Sequence, residues 1–172
     1  MRYYNYIKES TEYKIYLDMD GVLVDFISAV YKLFKLKDFR EWEKIGKDKY
    51  DEINKIGEKW WSEMDWLSDG KKLWNYLKKY NVTILSAAPK DKTSHPIATE
   101  GKRNWLNKNI GSSYSSDAII TTAVEKQKWA NKKSILIDDS ERNIKQWINK
   151  GGIGILHKNT NDTIKQLKGL GV

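Results

Sequence analysis

Asp18 and Asp20 stand two residues apart in Ile15-Tyr16-Leu17-Asp18-Met19-Asp20-Gly21-Val22-Leu23-Val24-Asp25. A short apolar run ends there in two carboxylates, a glycine and a third carboxylate. Carboxylates this close repel, and neither favours ionisation beside the other. A cation between them, or a proton on one, relieves the repulsion, and a magnesium-assisted phosphoryl-transfer site uses both devices. A surface turn rich in Asp and Gly is the plain alternative. A calcium EF-hand loop is excluded. It needs an oxygen ligand where Val22 stands and a bidentate acid where Ala29 stands.

Other polar residues follow apolar runs directly. Ser86 ends Val82-Thr83-Ile84-Leu85, and Asp138 with Asp139 ends Ser134-Ile135-Leu136-Ile137. Core packing does not explain small polar or acidic residues at three such ends. Helix capping explains part of it: Asp139 or Ser140 can cap a helix starting at Glu141, but Asp138 sits too close to its strand for that alone. His95 and His157 have no carboxylate or cysteine partner in sequence and read as ordinary loop or strand-end residues.

The elements that must position these groups alternate. Strands are expected at Tyr13–Leu17, Val82–Leu85, Ala118–Thr121, Ser134–Ile137 and Gly152–Leu156, from short apolar runs bounded by turn residues. Apolar residues at helical spacing predict helices over Phe26–Leu36, Gly70–Tyr80, Glu100–Ile110 and Glu141–Lys150. Helical turns are expected at Val124–Ala130 and Thr163–Leu167, and Ala87–Thr99, which holds both prolines, reads as a loop. Met1–Thr11 reads as a ragged lead-in or an edge element. Between Lys37 and Ser68 the texture turns charged and aromatic, with no β-rich run, and predicts two or three short helices forming a small inserted cap. Alternating strands and helices imply a parallel sheet covered on both faces, whose right-handed crossovers bring the strand ends to one edge.

With this context the chain resembles the haloacid-dehalogenase-like (HAD) phosphatases. Leu17-Asp18-Met19-Asp20-Gly21 matches their first motif and Ser86, in Leu85-Ser86-Ala87-Ala88-Pro89, the second. Lys102, in Gly101-Lys102-Arg103-Asn104, matches the third, and Asp138-Asp139 the fourth. The same stretches, together with Asn143-Ile144, are similar to the 5'(3')-deoxyribonucleotidase branch, except in the cap and at Ser140, where Arg is common in that branch. The resemblance implies an α/β, three-layer Rossmannoid fold with strand order 3-2-1-4-5. It implies a core of residues 1–25 and 70–172 and a helical cap of residues 26–69. It further implies Asp18 as nucleophile, Asp20 as general acid and base, and Ser86 and Lys102 as stabilisers of the phosphoryl group. Mg2+ would be held by Asp18, the Asp20 carbonyl and Asp138, with Asp139 behind them. Phe26, Trp60, Trp61 and Ala87 would join Ser86 and Lys102 in contacting substrate, the rings stacking on a base or simply building the cap's core.

The chain of 172 residues suffices for one core and a modest insertion. No apolar run approaches the roughly 20 residues of a membrane span. The absence of cysteine removes thiolate chemistry and disulfides, and suits a cytoplasmic protein. A net charge of +8, nearly all from lysines scattered among acids, favours an anionic partner without fixing its size. A small phosphorylated substrate, a nucleotide first, is the leading expectation. A 3'-phosphatase acting on nucleic-acid ends and a non-catalytic phosphate- or nucleic-acid-binding module stay open, as does homo-oligomerisation.

Overall fold

The computed structural model describes residues 13–46 and 49–172. The expected lead-in, Met1–Thr11, lies outside them. Five strands form one parallel sheet: β1 (Lys14–Leu17), β2 (Val82–Ala87), β3 (Ile119–Thr121), β4 (Ser134–Asp138) and β5 (Ile153–Leu156). Their order is β3-β2-β1-β4-β5. The α/β fold class and the strand order expected from sequence are those observed.

Nine α-helices accompany the sheet among the described residues. Four follow β1: α1 (Phe26–Phe34), α2 (Phe39–Lys44), α3 (Lys49–Ile56) and α4 (Glu58–Ser62). Then come α5 (Gly70–Leu77), α6 (Ser94–Asn109), α7 (Ser112–Asp117), α8 (Glu141–Asn149) and α9 (Thr160–Gly169), with a 3-10 helix at Ala123–Trp129.

Side chains alternate across each strand, so the buried ones divide between two faces. Ile15, Leu17, Ile84, Ile135 and Ile137 join a large core with Leu73 and Leu77 of α5, Trp105 and Leu106 of α6, and Leu167 of α9. Tyr16, Leu85 and Leu136 face the other way, onto Ile144 and Trp147 of α8. Val30, Trp42, Ile53 and Trp61 of α1–α4 belong to the first core. The inserted helices therefore share the sheet's apolar interior rather than enclosing one of their own.

The structure differs from the sequence expectation around α6. The expected loop ends at Thr99, whereas the helix begins at Ser94. Pro96 stands at the third helical position, where its missing N–H has no partner to lose. Asp91 Oδ1 accepts the Ser94 N–H at 2.7 Å and supplies the start signal. The polar helix α7, Ser112–Asp117, has no buried residue and gave no apolar period to read.

Candidate active site

The register sets the site. Leu17 pairs with Ile137, so Asp18 and Asp138 leave adjacent strands at the same level. The chain reverses direction of crossover between β1 and β4, the position where open α/β sheets place ligands. The Asp18 N–H donates to the Ile137 carbonyl at 3.0 Å, carrying the pairing one residue past the strand.

A tight turn then returns the chain. The Val22, Leu23 and Val24 N–H groups converge on the Met19 carbonyl, and all three side chains are fully buried. Gly21 has φ +72°, and a Cβ there would collide with the Asp139 carboxylate. Glycine is thus required twice over, by backbone and by space. Asp25, the third acid of the stretch, caps α1 by accepting from the Ser28 N–H at 3.0 Å.

Asp18, Asp138 and Asp139 each bring a carboxylate oxygen to within 4.8 Å of the others. Asp18 and Asp138 are buried, while Asp139 lies at the surface with its carboxylate turned toward the pair. Burial raises the Asp138 pKa, and the Asp18 charge adds to the rise. Asp139 is pushed up to about 7 by enclosure of its carboxyl group and by the charges of Asp18, Asp138 and Asp20. The Asn143 side-chain amide donates to both Asp138 oxygens at 3.1 Å, and the Ser140 N–H donates to one at 2.9 Å. Ser140 also caps α8.

The sequence reading missed Lys126. Its ammonium is buried between Asp18 (2.8 Å) and Asp138 (2.7 Å). Burial pulls its pKa down, but the two carboxylates outweigh burial and raise it. It belongs to the 3-10 helix after β3, on the same sheet edge as Ser86. The end of a third-strand run thus had the same claim to site residues as the ends of the other strands.

On the other side of Asp18, Lys102 Nζ donates to Asp20 Oδ2 at 2.6 Å and to Ser86 Oγ at 3.0 Å. Gly101 permits this placement. A Cβ there would strike the Glu58 carbonyl and the Trp61 side chain, so only glycine lets α6 approach α4 so closely. The Trp61 ring lies 5.3 Å from the Lys102 ammonium. Burial raises the Asp20 pKa above the ordinary carboxylate value against the pull of Lys102, and Asp20 Oδ1 is buried with no hydrogen-bond partner among the described residues. Such an acid is suited to carry a proton.

A cavity of about 950 Å³ opens from Asp20 between the sheet edge and the inserted helices. Phe26, Tyr50, Trp61, Ala87, Ala88, Asp91 and Ser94 are among its lining residues. Phe26 and Trp61 stack at 6.0 Å and 25°. Of the residues expected to contact substrate, Phe26, Trp61 and Ala87 thus line the chamber. Trp60 does not. It meets Phe26 and Trp61 edge-on and lines a separate cleft with Asp25, Leu33, Ile56 and Met64. Adjacent residues on a helix point about 100° apart, so only one of the pair faces the chamber.

No family model matches the sequence, and no curated protein does. Solved structures do. A HAD-superfamily hydrolase from Ehrlichia chaffeensis superposes with a TM-score of 0.51 at 16% identity, covering 92% of this chain and 97% of that one. The fold is that of the HAD-superfamily hydrolases. A predicted phosphatase from Clostridium acetobutylicum gives a TM-score of 0.52 at 17% identity, over 91% of this chain and 99% of its own. A HAD-type hydrolase from Bacillus subtilis bound to magnesium gives 0.53 at 10% identity, over 94% of this chain and all of its own (100%). At these identities the likeness is one of fold. Among the described residues, no helix of this chain is long and apolar enough to cross a membrane.

Proposed function

We propose that the protein is a Mg2+-dependent phosphomonoester hydrolase acting on small phosphorylated substrates, deoxynucleoside monophosphates first among them. The observation that carries this reading is the convergence of Asp18, Asp138 and Asp139 beside a separate Asp20–Lys102–Ser86 set.

The donor set fits magnesium. It is all oxygen, which suits a hard cation. Three carboxylates (Asp18, Asp138 and Asp139) meet one ammonium group (Lys126), an excess of negative charge that a divalent ion would balance. Asp18, Asp138 and the Asp20 backbone carbonyl would hold the ion, with Asp139 orienting or completing the shell. When bound it would supply Lewis-acid stabilisation of charge on the phosphoryl oxygens.

The chain's own groups supply the rest. The Asp18 carboxylate attacks phosphorus in line, and the bond from phosphorus to the leaving oxygen breaks. Asp20 gives that oxygen its proton, so the leaving group departs as a neutral alcohol. Asp20 then takes a proton from water, whose oxygen attacks the aspartyl-phosphate. Phosphate leaves and Asp18 is restored. Ser86 and Lys102 hold the phosphoryl oxygens throughout. Helices α1–α4 serve as the cap that reads the leaving group, with Phe26 and Trp61 as a stacking wall for a base, worth roughly 1–3 kcal/mol per base. A chamber of about 950 Å³ has room for a mononucleotide.

The test is phosphate release from a deoxynucleoside monophosphate and from p-nitrophenyl phosphate, with Mg2+ and with excess EDTA. Turnover is expected to need the metal and to fall to background in Asp18→Asn. Trp61→Ala should weaken nucleotide turnover more than Trp60→Ala does. Full activity in EDTA or in Asp18→Asn would overturn the mechanism.

A further inference from the structure

Two polar groups in the chamber take no part in the chemistry above. Tyr50, on α3, and Asp91, in the loop before α6, line it together with Asp20. The Tyr50 ring is packed by two neighbours. Trp42 meets it edge-on at 6.1 Å and 89°, and the Lys49 ammonium lies 5.7 Å from its centroid. Its hydroxyl is engaged by no hydrogen bond among the described residues, and its pKa is raised by burial first and then by the charges of Asp20 and Asp91. A packed ring with an unengaged O–H therefore lines the same chamber as the carboxylates of Asp20 and Asp91.

Asp91 is fixed in a complementary way. One carboxylate oxygen accepts the Ser94 N–H at 2.7 Å. Burial raises its pKa, but the Ser94 hydrogen bonds and neighbouring backbone N–H groups win and lower it. Asp91 is thus ionised and can only accept hydrogen bonds.

We propose that Tyr50 and Asp91 form a hydroxyl-reading pair for the leaving group. A substrate hydroxyl accepts from Tyr50, donates to Asp91, or does both at once, as only a hydroxyl among common neutral groups can with a single atom. The leaving group is then a polyhydroxylated carrier such as a sugar or a nucleoside. A second phosphate on it is disfavoured, because Asp20, Asp51 and Asp91 all line the chamber. Of the two lining lysines, Lys49 is drawn over the Trp42 ring at 4.4 Å and Lys90 is exposed at the rim. This assignment rests on the phosphomonoesterase reading, and the experiment separates the two.

Wild-type, Tyr50→Phe and Asp91→Asn proteins are compared on a deoxynucleoside 5'-monophosphate and on phenyl phosphate, which has no hydroxyl. Asn retains helix-capping ability, so Asp91→Asn keeps the start of α6. The readouts are kcat/KM with Mg2+ and equilibrium binding followed by tryptophan fluorescence. One hydrogen bond is typically worth about two- to tenfold. The ratio of nucleotide to phenyl phosphate, in kcat/KM and in affinity, should fall by about that factor in each variant. A ratio unchanged in both variants overturns the pair, even if the protein is an active phosphatase. If the wild type hydrolyses neither ester, the phosphatase reading falls and the binding ratio decides alone. A selective loss of nucleotide affinity in Tyr50→Phe then sustains the pair, whereas equal loss for both esters, or no binding of either, overturns it.

Discussion

Replacing Lys126 by methionine is the sharpest test of how the site is balanced. The side chain is buried, and its ammonium lies 2.8 Å from Asp18 and 2.7 Å from Asp138. Methionine nearly conserves the volume and removes the charge. Two buried carboxylates then face each other, with Asp139 close by and no cation between them. Breaking a buried pair by deleting one partner typically costs about 3–5 kcal/mol, because the remaining charge is left uncompensated. Here two such charges remain, so the upper half of that range is expected. For a chain of this size each kcal/mol corresponds to roughly 2–4 °C in melting temperature, so the drop in EDTA should be about 8–20 °C. The assay is thermal and urea unfolding of both proteins in EDTA and in Mg2+. In EDTA the deficit should also shrink on acidification, because a proton on Asp138, whose pKa burial and the Asp18 charge already raise, relieves the repulsion. Added Mg2+ should stabilise both proteins by preferential binding to the native state, an effect of about 2.7 kcal/mol at a hundredfold excess over Kd. It should stabilise the variant more, since the ion takes over the neutralising task of the ammonium. A deficit below about 1 kcal/mol in EDTA, or a deficit that Mg2+ leaves unchanged, would refute this account of the cluster.

Two further outcomes follow from other groups. Asp20→Asn keeps the turn and its backbone carbonyl but cannot deliver a proton. Nucleotide turnover should fall about 10²–10⁴-fold, and p-nitrophenyl phosphate turnover by clearly less, because that leaving group needs little protonation; equal losses measured by steady-state kinetics would remove Asp20 as the acid. His157 is buried, with Nδ1 2.9 Å from Thr163 Oγ1, and burial lowers its pKa below the ordinary 6.5. The unfolded chain takes up this proton as pH falls through about 6.5 while the folded chain does not, so stability should decline from pH 7 toward the lower folded-state value. Urea titrations of His157→Gln should show a shallower decline over that window.

The parts legible in the sequence are those where one local signal sufficed. Apolar runs such as Ser134–Ile137 ended in a polar residue, and the parallel order then brought Asp18, Ser86 and Asp138 to one edge. Lys102 was legible only through its motif. What places it is Gly101, whose missing side chain lets α6 press against α4, and a glycine inside a helix announces no such contact. The start of α6 was misread because Pro96 looked like a breaker, although proline is harmless in a first helical turn.

Lys126 and Tyr50 show why the rest was not legible. Each is common in type and lies in a stretch dense with other lysines or aromatics. Neither stands in a recognised catalytic motif. Lys126 becomes part of the site through a 3-10 helix whose start is fixed locally. Thr122 caps it, with Glu125 reaching back to the Thr122 backbone. That box sets the direction in which the next residue points, and the direction is toward Asp18 and Asp138. The capping signature Thr122-Ala123-Val124-Glu125 was present in the sequence, and combined with its position after a strand end it marks Lys126 as a candidate. Tyr50 had no equivalent signal. Its place depends on Trp42 and Lys49 holding the ring and on α3 being folded over the sheet edge, which only the three-dimensional arrangement supplies. Candidate site groups fixed to strand ends can thus be inferred from pattern. Phe26, Tyr50 and Trp61 sit on the inserted helices, where composition records aromatic bulk without saying which ring faces the chamber.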